Sequence, residues 1–136
     1  MTEYCPRLMC ATALLLLLSG FPGWSQSYPT RPITIIVPNL SGGGVSDLVP
    51  RLTSDDMSAT LGQPVIIENR PGAGGTLGSA SVARSRPDGD TLLMTVNPPI
   101  TVNMYLQKNF PYDSKTAFAP VTLAAEAPPV RRSKQA

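Results

Sequence analysis

The chain has 136 residues, a net charge of +2 and 15% charged residues. Its basic residues are scattered except for Arg131, Arg132 and Lys134, a poor footprint for nucleic acid, which calls for a basic stripe. There is no histidine, so a His-based triad, a His general base and the usual zinc sites are absent from the sequence, and no cofactor is implied.

The N-terminus reads as an export signal over residues 1–25. Arg7 precedes the apolar run Ala11-Thr-Ala-Leu-Leu-Leu-Leu-Leu, which is too short to span a bilayer. Gly20 and Pro22 break it, and Gly23-Trp-Ser25 places small residues before a cleavage site after Ser25, with Ser27 as the alternative. Both cysteines, Cys5 and Cys10, lie in this leader, so the exported part has no thiol, disulfide or thiolate metal site. What remains, about 110 residues, is enough for one small domain.

Ile33 to Val37 is a β-branched run read as a buried strand, ended by Pro38. The loop Asn39-Leu-Ser-Gly-Gly-Gly-Val-Ser follows, and Ser46 or Asp47 is expected to cap a helix over 47–60. Leu48, Leu52 and Leu61 are assigned to the buried side of that helix, and Asp55 and Asp56 to its solvated side. Pro50 is placed in its first turn, where a missing N–H is tolerated. Gly62 is a natural stop.

Val65 to Ile67 forms the centre of a second strand, near 64–68. A glycine-rich loop, Glu68 to Gly75, opens a small-residue helix over 75–84. Pro87-Asp-Gly89 is a turn in which Asp88 and Asp90 need no catalytic role. A third strand is expected near 91–96, then a loop from Asn97 with a short helix reaching Leu106. Tyr105 and Phe110 read as packing residues, Phe110-Pro-Tyr-Asp as irregular, and Ala119 to Ala125 as a fourth strand. The β-α-β-α-β alternation implies an α/β fold with a parallel, doubly wound sheet. In such sheets ligands bind outside the carboxyl ends of the strands.

Two loops at that edge can carry chemistry. Ser41-Gly-Gly-Gly-Val-Ser-Asp47 could cradle a carboxylate with backbone N–H groups and the hydroxyls of Ser41 and Ser46, Asp47 being a helix cap or a polar ligand contact. It reads equally as a flexible turn before a capped helix. Gly72-Ala-Gly-Gly75 is weak by itself and lacks the G-x-G-x-x-G order at the first strand. No G-x-x-x-x-G-K-[ST] is present. Arg70 reads better as an ion-pair partner of Glu68 or Asp88 than as a substrate-carboxylate partner. No serine has a histidine base, and no constellation names a reaction, so the chain is read as a non-enzyme. A phosphate- or nucleotide-handling α/β enzyme fragment is the alternative, with Glu68 its single partial match.

From Tyr28 to Val130 the chain resembles the solute receptors of tripartite tricarboxylate transporters (Bug-type receptors). Carriers of the resemblance are Tyr28-Pro-Thr-Arg-Pro-Ile, Ile36-Val-Pro38, Gly43-Gly-Val-Ser-Asp47, Arg51-Leu and Leu61-Gly-Gln-Pro-Val. Then come Glu68-Asn-Arg-Pro-Gly-Ala-Gly-Gly, Pro87-Asp-Gly-Asp-Thr-Leu-Leu, Pro111-Tyr-Asp and Phe118-Ala-Pro-Val-Thr-Leu123. Departures are Asn39 for a usual aromatic, one extra residue before the Gly-Gly-Val-Ser-Asp match, Asp90 for Tyr and Pro50 for Ala.

The resemblance implies a two-lobed, Venus-flytrap periplasmic binding protein that closes on a small carboxylate and delivers it to a membrane permease. Residues 28–130 would be part of its first lobe and 131–136 a divergent tail. It further implies ligand contacts from Ser41, Gly42, Gly43, Gly44, Ser46 and Asp47 in the first loop. Ala73, Gly74, Gly75 and Thr76 in the second, and Thr95 and Asn97 in the third, complete the implied set. Family receptors are longer, so the chain is expected to be a truncated receptor from a frameshift, a premature stop or a mis-called gene, in the extreme a non-functional product. A short paralogue is the alternative.

Overall fold

The computed structural model describes residues 28–126; the proposed export signal and the tail after Glu126 lie outside it. Three parallel strands form one sheet in the order β2-β1-β3. They are β1 (Ile33–Val37), β2 (Val65–Asn69) and β3 (Thr91–Leu93). Helix α1 (Val45–Leu61) links β1 to β2, and α2 (Thr76–Ala83) links β2 to β3. Two short helices follow, α3 (Asn97–Thr101) and α4 (Asn103–Leu106).

The second crossover runs back past β1, so right-handed connections place α1 and α2 on opposite faces of the sheet. Ile33, Ile35 and Val37 are buried on the α1 face with Met57, Leu61, Val65, Ile67, Leu92 and Met94 packed against them. Ile36, also buried, points the other way by strand alternation, and α2 packs over β1 and β3. A central strand covered on both faces is the reason β1 reads as a continuous β-branched run.

Helix α1 differs from expectation in three respects. It starts at Val45 with Gly44 as N-cap, and no side chain caps it. Pro50 is therefore in its second turn. Leu48 and Leu52 are 56% and 70% exposed. Leu52 is nine positions from Leu61, which at about 100° per residue puts it on the opposite side of the helix. The covered side instead carries Ser46, Asp47 and Pro50, with Met57, Ser58 and Leu61 partly buried. Ser58 Oγ donates to Ser54 O (2.7 Å) and accepts from Val65 N (2.9 Å), joining α1 to the start of β2. Asp55 and Asp56 are exposed, as expected. Gly62 ends the helix at φ 68°, its N–H on Ser58 O.

Strand β3 is shorter than the 91–96 expected. The Met94 N–H still reaches Ile36 O (3.0 Å), but the next ladder donor would come from Pro38, which has no N–H. No strand forms at Ala119–Ala125. That segment is coil with Val121 and Leu123 nearly 80% exposed, and Pro120, its second residue, offers no donor. Tyr105 is exposed rather than packed. Phe110 does pack, its ring 4.4 Å from that of Tyr112, which meets Phe118 at 5.3 Å.

The N-terminal segment is tied to the turn before β3. Tyr28 donates to Gly89 O (2.7 Å), and Arg31 pairs with both Asp88 and Asp90. Asp88 accepts the Asp90 N–H (3.1 Å), the turn role foreseen for it. Among the described residues no helix is long and apolar enough to cross a membrane.

Candidate functional site

All three strands point the same way, so the loops that follow them meet at one edge of the sheet. Gly75 and Gly78 make this meeting possible. A Cβ on Gly75 would lie 2.7 Å from Pro99 Cγ and 3.5 Å from Pro38 Cβ, so loops one, two and three touch there. A Cβ on Gly78 would lie 2.5 Å from Arg70 O and 2.8 Å from Pro38 Cβ. Small residues in α2 thus let its first turn sit against the ends of β1 and β2.

The first loop is held from inside by a polar network. Asp47 is 2% exposed. Its Oδ2 accepts from Gly42 N (2.7 Å) and Arg51 Nε (3.0 Å), and its Oδ1 from Arg51 Nη2 (3.0 Å) and Asn69 Nδ2 (2.7 Å). The Arg51 guanidinium foremost, then the Asn69 amide and the Gly42 N–H, hold the Asp47 carboxyl far below the usual carboxylate range. Asn69 also donates to Asn39 O (3.1 Å) and accepts from Arg51 (2.5 Å), while Asn39 donates to Ser46 Oγ (2.7 Å). Asp47 is thus not the cap, and its carboxylate is turned into the loop. It is the anchor of the loop, and its oxygens are already filled.

This network decides which predicted donors remain available. The Gly42 N–H is used by Asp47 and the Gly43 N–H by Leu40 O (2.8 Å). Among the described residues no acceptor is present for the N–H groups of Gly44, Val45 and Ser46 at the start of α1. They carry the partial positive end of a 17-residue helix, which favours an anion. Ser41 is exposed. An open depression of about 560 Å³ lies here, lined by Ser41, Gly42, Gly44, Val45, Asp47, Leu48 and Arg51.

In the second loop, Gly72, Ala73, Gly74 and Gly75 all have positive φ, 134°, 48°, 64° and 90°. Thr76 is buried, its Oγ1 accepting from Asn103 and Gln107. The third loop places Thr95 half-buried and Asn97 exposed. Arg70 lies against Glu68 (2.7 Å) and holds its carboxyl below the usual range, which is the ion-pair reading. Being exposed, that pair adds little stability. Sequence reasoning missed Asn69, Asn103 and Gln107; no local pattern marks an amide whose partners lie tens of residues away. Among the described residues no cluster of three or more His, Cys, Asp or Glu is placed to hold a metal ion.

Comparison with known proteins agrees with this architecture. Residues 49–133 match the model of the tripartite tricarboxylate transporter family receptor. BugT of Bordetella pertussis is 35% identical over 125 residues, covering 90% of this chain and 38% of that protein. An Agrobacterium vitis protein encoded in the ttuE-ttuC' intergenic region is 43% identical over 119 residues, 85% of this chain and 34% of that protein. Among solved structures, MatC from Rhodopseudomonas palustris with bound malate has a TM-score of 0.65 at 40% identity, over 71% of this chain and 33% of that one. The periplasmic binding protein BugD has a TM-score of 0.60 at 40% identity, over 68% and 30%. The chain therefore spans about a third of the length of these relatives. Its sheet order, its glycine loops and these matches make it a member of the tripartite tricarboxylate transporter receptor family.

Proposed function

We propose that this chain supplies part of the ligand-binding first lobe of a periplasmic solute receptor for a small carboxylate. The observation that carries the reading is the convergence of three loops at one sheet edge, with unpartnered N–H groups at the start of α1. Such a site binds an anion through backbone donors and helix polarity. Relatives support the ligand class, since MatC is seen with malate and a second R. palustris protein with adipate. The second is 34% identical to this chain.

In this reading the ligand carboxylate lies over Gly44, Val45 and Ser46, near the Ser41 hydroxyl. Gly74, Thr76, Thr95 and Asn97 line the neighbouring loops. Gly42, Gly43 and Asp47 shape the cradle from behind, and Ala73 and Gly75 shape the second turn. The protein acts by binding and delivery to the permease of a tripartite transporter, without turnover. Its place is the periplasm, reached by cleavage of residues 1–25.

The test is a chimera in which residues 28–126 replace the matching segment of MatC, titrated calorimetrically with malate, adipate and a nucleotide control. Saturable binding of a dicarboxylate is expected. A folded chimera that binds none of them, or that prefers the nucleotide, sinks the proposal.

A further inference from the structure

Two amide side chains at the last described helix make a clamp on the glycine turn. Asn103 Nδ2 lies 3.1 Å from Gly74 O and 3.1 Å from Thr76 Oγ1. Gln107 Nε2 lies 3.2 Å from Ala73 O and 2.9 Å from Thr76 Oγ1. In each amide the same atom faces a backbone carbonyl, so that atom is the nitrogen and the flipped orientation is ruled out. Each nitrogen thus spends one hydrogen on the turn and one on Thr76.

The turn needs such a restraint. Ala73 is the one non-glycine residue with positive φ among the described residues, at 48°. A left-handed alanine persists only where its surroundings over-determine it. Its neighbours Gly72, Gly74 and Gly75 have no preference for that hand. Local bonds, Gly75 N to Gly72 O (3.0 Å) and Thr76 N to Ala73 O, close the turn but do not anchor it to the domain. The two amides do, from about thirty residues along the chain.

The restraint also sets a direction. In a trans peptide the C=O and the following N–H point opposite ways. Because Ala73 O is drawn toward Gln107, the Gly74 N–H is turned away from α4. That N–H has no acceptor among the described residues.

We propose that Asn103 and Gln107 are positioning residues, holding the 72–75 turn in the conformation that presents the Gly74 N–H to a ligand oxygen. This rests on the reading of the loop cluster as a carboxylate site. It assigns α4, which sequence alone marked only as a short helix, a defined part in that site.

The experiment is residue-resolved amide hydrogen exchange on the full chain, comparing wild type with Gln107→Ala, Gln107→Glu and Asn103→Ala. Exchange of the Gly75 and Thr76 amides is expected to accelerate about tenfold in each, the worth of one or two hydrogen bonds. The β1 amides are expected to stay unchanged in the Gln107 variants. A general loss of stability would move β1 as well, so it is separated from local positioning. Gln107→Glu keeps the size but loses the donor, and so separates hydrogen bonding from packing. Should Asn103→Ala unfold, the half-buried Gln107 decides. Unchanged Gly75 and Thr76 exchange in both Gln107 variants overturns the clamp. A malate and adipate titration of the same variants in the 28–126 chimera tests the underlying reading separately. Tighter binding by wild type than by Gln107→Glu supports both. A clamp seen by exchange, with a folded chimera that takes neither malate nor adipate, leaves the positioning role standing and removes the carboxylate assignment.

Discussion

Replacing Gly78 by alanine sets two effects against each other, and the structure decides the winner. In an isolated helix the exchange stabilises by about 1 kcal/mol, because alanine has less backbone freedom to lose. Here the new methyl would lie 2.5 Å from Arg70 O, 2.8 Å from Pro38 Cβ and 3.0 Å from Pro38 Cα. None of these is the far end of a flexible side chain. The Arg70 N–H is bonded to Val37 O (2.9 Å), so both obstacles are fastened to the central sheet. Helix α2 must back away from the strand ends, and overpacking of this sort costs about 1–3 kcal/mol. Contacts with fixed backbone belong to the upper half of that range, so after the helical gain the net loss is about 1–2 kcal/mol. Urea unfolding followed by far-UV circular dichroism measures it. With a slope of about 1 kcal/mol/M for a small domain, the midpoint should fall by about 1–2 M. A Gly78→Ala midpoint equal to or above that of wild type would refute the argument that close approach at this position brings loops one and two together.

Further outcomes follow from the same contacts. Asn69→Ala removes bonds to Asn39 O, Asp47 Oδ1 and Arg51 and should cost about 2 kcal/mol by urea denaturation; a change indistinguishable from zero would mean the amide is not what joins loop one to β2. The Asp47 carboxyl is depressed in the folded state by Arg51 first, then Asn69 and the Gly42 N–H, so its contribution is present above its unfolded pKa of about 4 and is lost as pH falls below that value. Stability of Asp47→Asn should therefore vary less with pH through the acid range, and superimposable pH profiles for variant and wild type would contradict the anchor role. Tyr112→Phe deletes the bond to Pro99 O (2.6 Å) while sparing the aromatic cluster; about 1 kcal/mol and a drop in Tm of about 4 °C are expected, and an unaltered Tm would show that the 110–118 segment does not brace α3.

Local pattern alone determined a good deal here. The β-branched run Ile33–Val37, the stop at Gly62, the Pro87-Asp-Gly89 turn and the glycine loops after β1 and β2 all rest on short-range rules. Steric and hydrogen-bond preferences of a few adjacent residues suffice for them. The parallel sheet followed from the alternation of such elements. Tertiary structure decided what depends on partners distant in sequence. Pro38 shortened β3 by withholding one donor across the sheet, and no strand formed at Ala119–Ala125. Asp47 looked like a cap because capping is a local motif; it became an anchor because Arg51 and Asn69 reach its carboxylate first. The buried side of α1 is built from Ser46, Asp47 and Pro50 with Met57 and Leu61, rather than from Leu48 and Leu52, since the helix meets a polar network at one end and a sheet at the other. Asn103 and Gln107 carry no mark of their role in the sequence, because an amide acquires a function only from the carbonyls that folding brings within 3.2 Å of it.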